Sequence, residues 1–239
     1  MQYFEFNEIQ STQSLAKDYV LNKEASTPFC VIAHSQTHGI GRLKRSWLSP
    51  LGNLYASFVF DKTYFASPNH APYYGALAIY LTLKNLININ NKNADNLFIK
   101  WPNDIMLNNC KLCGILTQSI QNAVIIGIGV NILAAPEVNK EVSGYKATAI
   151  MDACGLSVEP QTLAELFALN LESIKGKNFN FLQNEINKAL FKIHQNIEVK
   201  TQNNNFCGTN LGIDQEGNLN LKLDEGNVKQ INFGDVFFT

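Results

Sequence analysis

Four apolar segments follow one another closely between residues 97 and 132, and they constrain the fold more than any other part of the sequence. They cover residues 97–101, 105–107, 112–120 and 124–132. Asn108-Asn109 separates the second segment from the third, and Asn is favoured in the tight turns that join antiparallel strands. We therefore predict a hairpin, with a strand before it and a strand after it.

Helices and further strands surround this region in the sequence. Ser11-Thr12 is suited to cap a first helix over the residues QSLAKDYVLN, and apolar residues recur at helical spacing from residue 71 to residue 86. The apolar patterns predict two more strands and two amphipathic helices. The strands are expected at residues 29–34 and 53–60, and the helices at residues 160–174 and 180–194.

The pattern changes after residue 195, where short alternating segments are broken by glycines. That pattern is typical of a small all-β module of the barrel type. We therefore expect an α+β protein with a large domain at residues 1–194 and a small β domain at residues 195–239.

The composition excludes several classes of protein. Hydrophobic residues make up 46% of the 239 residues and charged residues 16%, so we expect a sizeable core and no disorder. The formal net charge of −1 leaves no general positive field, and we expect no specific DNA binding. We find no signal peptide, and the longest apolar runs are about half as long as a membrane helix. Five cysteines is an odd number, which argues against a secreted disulfide framework, so we expect a cytoplasmic protein without membrane binding.

A loop at residues 36–47 is the first segment suited to chemistry. Gly39 and Gly41 allow the backbone to approach an anion, Arg42 can make paired bonds to a phosphate, and Trp47 offers an aromatic face. No third glycine follows at the spacing of a dinucleotide fingerprint, and the GK[ST] of a P-loop is missing. Taken alone, the segment also fits a solvated basic loop.

Three further segments are suited to chemistry, but each taken alone is weak evidence for a functional site. The residues KWPND at positions 100–104 place Asn103 and Asp104 at the end of a strand, which also fits a simple turn. The residues KLCGIL at positions 111–116 put Lys111 at the start of an apolar strand, where a lysine usually faces solvent. The residues GIGVN at positions 127–131 carry two glycines on one strand face, which leaves room for a flat ligand.

Together, and in this order, these segments resemble the motifs of the biotin–protein ligase family. That family has an S-T-N-like turn, a glycine- and arginine-rich loop ending in Trp, then K-W-P-N-D, K-L-x-G-I-L and G-x-G-x-N. The module after residue 195 also resembles the family's small C-terminal SH3-like β-barrel, so the resemblance covers nearly the whole chain. The chain departs from the family pattern at Gln13, Ile40 and Lys44, where Asn, Arg and Gly are usual.

The resemblance implies a catalytic domain of the biotin/lipoate ligase type, with a mixed sheet, at residues 1–194. It implies that ATP, with Mg²⁺, activates biotin as biotinyl-5′-AMP, and that biotin is then transferred to a lysine of a biotin carboxyl carrier protein domain of a biotin-dependent carboxylase. The resemblance is compatible with a monomer and with a homodimer. The first motif begins at Ser11, so we expect no N-terminal DNA-binding domain and no repressor function.

The resemblance also implies roles for individual residues. Lys111, Arg42 and Asp104 are expected to be catalytic, and Asp104 is also a candidate ligand for Mg²⁺. The expected biotin-binding residues are Ser11, Thr12, Gln13, Gln36, Gly39, Ile40, Gly41, Arg42, Lys111 and Gly114. The expected nucleotide-binding residues are Arg42, Arg45, Trp47, Asn103, Lys111, Gly129 and Asn131.

Two alternatives remain from the sequence. A lipoate- or octanoate-transferring relative of the same fold would keep a catalytic lysine but would lack the G-x-G-R loop joined to K-W-P-N-D. A non-catalytic biotin sensor would have lost Lys111 or Arg42, and both are present.

Overall fold

A seven-stranded mixed sheet forms the centre of the large domain in the computed structural model, which describes residues 1–137 and 145–237. The strand order is β1-β2-β3-β7-β6-β5-β4; β1 and β2 are parallel, and the other neighbours are antiparallel. The strands of this sheet are β1 (Gln2–Ile9), β2 (Phe29–Gln36), β3 (Leu54–Asp61), β4 (Leu97–Lys100), β5 (Asp104–Leu107), β6 (Cys110–Ile120) and β7 (Ala123–Val130). The helices in the described part of the chain are α1 (Thr12–Asn22), α2 (Ala71–Ile89), α3 (Ile150–Cys154), α4 (Pro160–Ile174) and α5 (Phe179–Lys188).

The hairpin predicted around Asn108 and Asn109 is confirmed. The φ angles of these two residues are 52° and 61°, which is the left-handed conformation that asparagine tolerates better than most residues. The turn joins β5 to β6, and β6 pairs with β7 along its length, so the four predicted segments are consecutive neighbours in the sheet. The turn residues and the apolar pattern together determine this register.

Strand β1 was not predicted from the sequence. It covers Gln2–Ile9 and pairs in parallel with β2 at the edge of the sheet. Its aromatic side chains are partly buried, and Phe4 packs edge-on against Tyr19 of α1 at 5.1 Å between ring centroids. The strand is stabilised by these long-range contacts, which a local reading of the sequence does not contain.

The two faces of the sheet are covered by different helices. Alternate residues of β2 face opposite sides: Cys30 and Ile32 join the larger core cluster under α2 and α4, whereas Phe29 and Val31 pack with α1. The same alternation holds along β3. The face that carries α1 is the one that also carries the cavity described below.

The last predicted helix ends earlier than expected. It was predicted at residues 180–194, but α5 ends at Lys188. The backbone of Ile99 in β4 accounts for this, because its N–H donates to Ala189 O and its carbonyl accepts from Phe191 N, both at 2.8 Å. Residues 189–191 therefore add a short parallel bridge to the edge of the sheet instead of continuing the helix.

The C-terminal module is a separate five-stranded antiparallel sheet in the order β11-β10-β9-β8-β12. Its strands are β8 (Asn196–Lys200), β9 (Asn205–Ile213), β10 (Leu219–Leu223), β11 (Val228–Ile231) and β12 (Asp235–Phe237). Gly217, with φ of 83°, joins it to the large domain, because its carbonyl accepts hydrogen bonds from Tyr73 at 2.7 Å and Trp101 at 3.1 Å. The domain boundary at residues 194 and 195 stays a prediction. Among the described residues, no helix is both long and apolar enough to span a membrane.

Candidate active site

A cavity of about 350 Å³ lies on the α1 face of the sheet. The start of α1, the loop after β2, strands β3, β6 and β7 and one residue of the C-terminal module contribute to its wall. Every residue predicted for the site except Gly39 lines it. These residues are Ser11, Thr12, Gln13, Gln36, Ile40, Gly41, Arg42, Arg45, Trp47, Asn103, Asp104, Lys111, Gly114, Gly129 and Asn131.

Polar side chains form one part of the wall. Ser11 caps α1 by accepting a bond from Ser14 N at 3.4 Å, and this places Thr12 and Gln13 at the start of the helix. The Thr12 backbone N–H and hydroxyl donate to Gln36 Oε1 at 2.8 and 3.2 Å. Gln36 in turn donates to Ser49. This network gives the side chains of the first turn of α1 fixed orientations.

Ser57 belongs to the same polar group and was missed by the sequence analysis. Its hydroxyl lies 3.0 Å from Thr12 Oγ1 and 3.1 Å from Gln13 Oε1. Gln13 Nε2 is buried and has no hydrogen-bond partner among the described residues. A buried N–H without a partner is costly, so this donor is available to a ligand. A sequence signal existed, because Ser57 is the one small polar side chain among the apolar and aromatic residues 54–60.

Gly127 provides the space that Gln13 occupies. A Cβ atom on Gly127 would lie 2.5 Å from Gln13 Oε1, closer than real side chains approach. Gln13 is longer than the Asn usual in the family, and the absence of a side chain at Gly127 accommodates it. The first of the two strand glycines therefore serves a side chain of the protein itself.

The second strand glycine serves Trp47. Gly129 of β7 is paired with Gly114 of β6, and Cβ atoms on these residues would lie 2.6 and 2.7 Å from the indole ring. The surface predicted to be free for a flat ligand is thus covered by Trp47. Lys111 Nζ lies 5.1 Å from the centroid of this ring, within range of a cation–π interaction.

Gly39 was predicted to bind biotin, but it is not part of the cavity wall. Its carbonyl accepts a bond from Trp47 N at 2.8 Å, and a Cβ atom on it would lie 2.4 Å from Trp47 O. The loop folds back on itself here through a bridge between Ile40 and Ser46. Gly39 therefore allows the loop to close on itself and does not line the cavity.

A group of buried charges lies at the ends of β4 to β6. Lys111 Nζ is 2.7 Å from Asp104 Oδ1, and Lys100 Nζ is 3.8 Å from Asp104 Oδ2. Tyr145 donates to the same Oδ2 at 3.3 Å. The Pro102 and Asn103 turn brings Lys100 and Asp104 to the same place, because they form the last pair of the β4–β5 ladder.

These contacts shift the ionisation of each group. Burial alone would raise the pKa of Asp104, but the two ammonium groups outweigh it and hold the pKa below its usual value. Burial alone would lower the pKa of Lys111, but the Asp104 carboxylate outweighs burial and raises this pKa above its usual value. Burial lowers the pKa of Lys100 to about 8, because its distance from Asp104 gives only partial compensation. Burial and the Asp104 charge together raise the pKa of Tyr145 to about 12. Lys111 is thus a cation throughout the neutral range.

Asp104 is poorly placed to bind Mg²⁺. Its oxygens already face the ammonium groups of Lys111 and Lys100 and the hydroxyl of Tyr145. A divalent cation at this carboxylate would lie beside two other cations. In the described part of the chain, no cluster of three His, Cys, Asp or Glu side chains is suited to hold a metal.

Arg42 is held by hydrogen bonds to the large domain and to the C-terminal module. Its Nη1 donates to Asn103 Oδ1 at 3.1 Å and to Asp235 Oδ1 at 3.3 Å. Asn103 is itself oriented by a bond from its Nδ2 to Ile115 O at 2.8 Å. Asp235 comes from the C-terminal module and was missed by the sequence analysis, in which no motif pointed to it.

Asn131 lies at the end of β7 and presents an unused acceptor. Its Nδ2 donates to Thr148 O at 3.0 Å, whereas its Oδ1 is buried with no partner among the described residues. This carbonyl oxygen can accept a bond from a ligand amine.

Comparison with known proteins agrees with the motifs. Residues 5–131 match the model of the biotin/lipoate A/B protein ligase family, and residues 192–239 match that of the biotin protein ligase C-terminal domain. A biotin–[acetyl-CoA-carboxylase] ligase from Paracoccus denitrificans is 30% identical over 219 residues, which are 87% of this chain and 89% of that protein. The bifunctional ligase/repressor BirA of Bacillus subtilis is 29% identical over 95% of this chain and 71% of its own.

Solved structures show the same architecture. The biotin protein ligase from Aquifex aeolicus in complex with biotin and ATP has a TM-score of 0.81 and 25% identity, covering 98% of this chain and 97% of that one. A Leishmania major biotin protein ligase with biotinyl-5-AMP has a TM-score of 0.73 at 24% identity, over 97% and 99% of the two chains. The chain belongs to the biotin/lipoate A/B protein ligase family, and the family and fold class predicted from its motifs are confirmed.

Proposed function

We propose that the chain is an ATP-dependent biotin–protein ligase, which forms biotinyl-5′-AMP and transfers biotin to a lysine of a biotin carboxyl carrier domain. The observation that carries this proposal is the division of one cavity into two parts. One part holds the unpaired Gln13 donor among Ser11, Thr12 and Ser57, and the other holds the cations of Arg42 and Lys111. The similar Aquifex aeolicus enzyme was solved with biotin and ATP.

The polar part suits the ureido ring of biotin. The ring presents one carbonyl acceptor and two N–H donors, and Gln13 Nε2 supplies a buried donor for the acceptor. The neighbouring hydroxyl oxygens of Ser11, Thr12 and Ser57 can accept from the ring N–H groups. The apolar side chain of Leu116, on the same strand face as Gly114, lines the same cavity and suits the thioether ring and the chain of biotin.

The cationic part suits the first half-reaction. An oxygen of the biotin carboxylate attacks the α-phosphorus of ATP, the new O–P bond forms, and pyrophosphate leaves with the electrons of the broken bond. Lys111 reduces the repulsion between the two anions, and Asp104 keeps it charged and in place. Arg42 holds a phosphate oxygen, and Asn131 accepts a bond from the adenine amino group. Magnesium enters as the counter-ion of the ATP substrate.

In the second half-reaction, the amine of the carrier lysine attacks the carbonyl carbon of the mixed anhydride. The C–N bond forms, the C–O bond to phosphate breaks, AMP leaves with the electrons of that bond, and the amine loses one proton to solvent. Arg42 balances the charge that returns to the phosphate. Trp47 and its loop lie over the strand glycines and exclude water from the anhydride.

We also infer the setting of the enzyme. The cysteines at positions 30, 110, 113, 154 and 207 are all unpaired, which suits a reducing compartment, and we propose the cytoplasm. The carrier domain is its protein partner.

The proposal is tested by incubating the protein with biotin, MgATP and a biotin carboxyl carrier domain, followed by avidin blotting. We expect labelling of the carrier but not of a carrier whose target lysine is replaced by arginine. Lipoate in place of biotin should give no modified carrier when the same reaction is followed by mass spectrometry. Modification of the carrier by lipoate contradicts the proposal, as does a carrier that gains no biotin with fresh MgATP.

A further inference from the structure

The turn between Arg42 and Arg45 has an unfavourable backbone conformation. Leu43 and Lys44 have φ angles of 55° and 60°, in the left-handed region that residues with side chains seldom adopt. Two local backbone bonds close the turn, from Gly41 N to Arg45 O at 2.8 Å and from Arg45 N to Arg42 O at 3.1 Å. Such a conformation persists only when its surroundings hold it.

Asp235 contacts both arginines that flank this turn. Its Oδ1 lies 3.3 Å from Arg42 Nη1, and its Oδ2 lies 2.5 Å from Arg45 Nη2. The carbonyl of Gly234 accepts two further bonds from Arg42, at 3.3 Å each. The Arg42 guanidinium also lies 5.1 Å from the ring centroid of Phe233. One edge of the C-terminal module therefore holds both ends of the strained turn.

We propose that Asp235 is a positioning residue, which clamps the loop between Arg42 and Arg45 and so fixes the orientation of Arg42 towards the nucleotide phosphate. The consequence for nucleotide binding rests on the function proposed above, whereas the clamp itself does not. The contacts of Arg42 with Asn103, Gly234 and Asp235 use only its Nη1 and Nη2 atoms. Among the described residues no bond is made to its Nε–H, so this donor remains for a phosphate oxygen while the clamp stays in place.

The clamp acts on one part of the cavity. The polar part is held together by hydrogen bonds within α1, β2 and β3, in which Asp235 takes no part among the described residues. Loss of the Asp235 carboxylate should therefore affect the loop and the binding of ATP, while the binding of biotin changes little. This selectivity separates a positioning role from a general contribution to folding.

The first test is limited trypsin digestion of the protein without ligands. The loop contains trypsin sites at Arg42, Lys44 and Arg45. In Asp235→Asn we expect cleavage in the loop to be roughly 3- to 30-fold faster than in the wild type, because charged hydrogen bonds that oppose local opening are lost. Cleavage elsewhere should keep its wild-type rate. Asp224→Asn changes an exposed carboxylate of the same module and should leave both rates unchanged.

The second test compares KM values in biotin-dependent exchange of pyrophosphate into ATP. Asp235→Asn should raise the KM for ATP about fivefold or more and leave the KM for biotin within about twofold. Arg45→Gln, which removes only the exposed side of the clamp, should give a smaller change in the same direction. An unchanged rate of loop cleavage overturns the clamp, and a lower KM for ATP shows that Asp235 competes with phosphate and overturns the positioning role. The digestion needs no substrate, so it distinguishes a failed clamp from a failed assignment of function.

Discussion

The ammonium group of Lys111 lies 2.7 Å from a carboxylate oxygen of Asp104, and both side chains are largely buried. The carboxylate is shared with Lys100, which lies on the far side of it at 3.8 Å. This arrangement places two cations and one anion at the end of three strands, with a net positive charge. Such a site attracts an anion without requiring the lysines to change their ionisation.

Replacing Lys111 by Ala should slow the formation of the adenylate. The loss of a desolvated charge partner costs about 2–5 kcal/mol, so we expect a decrease of roughly 30- to 4000-fold in biotin-dependent pyrophosphate exchange. Lys92→Ala, at an exposed turn, is the matched control and should retain the wild-type rate. Exchange at the wild-type rate in the Lys111 variant would show that this lysine takes no part in the first half-reaction.

Replacing Ser57 by Ala should weaken the binding of biotin alone. The Ser57 hydroxyl orients Thr12 and Gln13, and a net hydrogen bond contributes about 0.5–1.5 kcal/mol, so the Kd for biotin should rise roughly 2- to 12-fold. Isothermal titration calorimetry measures it directly. Ser173→Ala, at an exposed position of α4, serves as control. A rise in the KM for ATP of the same size would mean that Ser57 affects the whole cavity and not the polar part.

Replacing Gly129 by Ala should displace Trp47. The new methyl group would lie 2.6 Å from the indole ring, and overpacking of this kind costs about 1–3 kcal/mol. We expect a lower free energy of unfolding and a red-shifted tryptophan emission. Gly176→Ala, where no described residue lies within 4 Å of the added atom, is the control. An unchanged emission spectrum would indicate that Trp47 does not rest on the glycine pair in solution.

The pH dependence of stability should reveal the buried Lys100. Its pKa in the folded protein is about 8, below the 10.5 of the unfolded chain, so between these values the unfolded chain binds more protons. The contribution of Lys100 to the free energy of unfolding therefore increases with pH across that window, by up to about 1.4 kcal/mol per pH unit. The buried thiols of Cys30 and Cys113 act in the opposite direction, because burial raises the pKa of both.

The comparison with Lys100→Met isolates this effect. The free energy of unfolding, measured by urea titration at several values between pH 8 and 9.5, should rise more steeply with pH in the wild type than in the variant. The thiols contribute equally to both proteins and cancel in the difference. Parallel curves would mean that Lys100 keeps an ordinary pKa and is hydrated in the folded protein.

Much of the sheet could be predicted because its signals are local. The turn at Asn108-Asn109 and the apolar strands around it determine one another's register, and α4 was predicted with the bounds it has, Pro160–Ile174. Strand β1 and the end of α5 could not be predicted this way. Each depends on backbone or ring partners distant in sequence, such as Tyr19 for Phe4 and Ile99 for Ala189.

The sequence by itself determined the family, because the order and spacing of five short motifs are specific even though each motif is weak. It also pointed to many of the residues that line the cavity, although it missed Ser57 and Asp235 and included Gly39. Only the tertiary structure decided what fills the space above the strand glycines and what holds the loop arginines. Trp47 covers Gly129, and Asp235 reaches Arg42 across 193 positions of sequence. Such contacts form when separate elements pack together, and neither periodicity nor local spacing encodes which side chain will arrive at a given place.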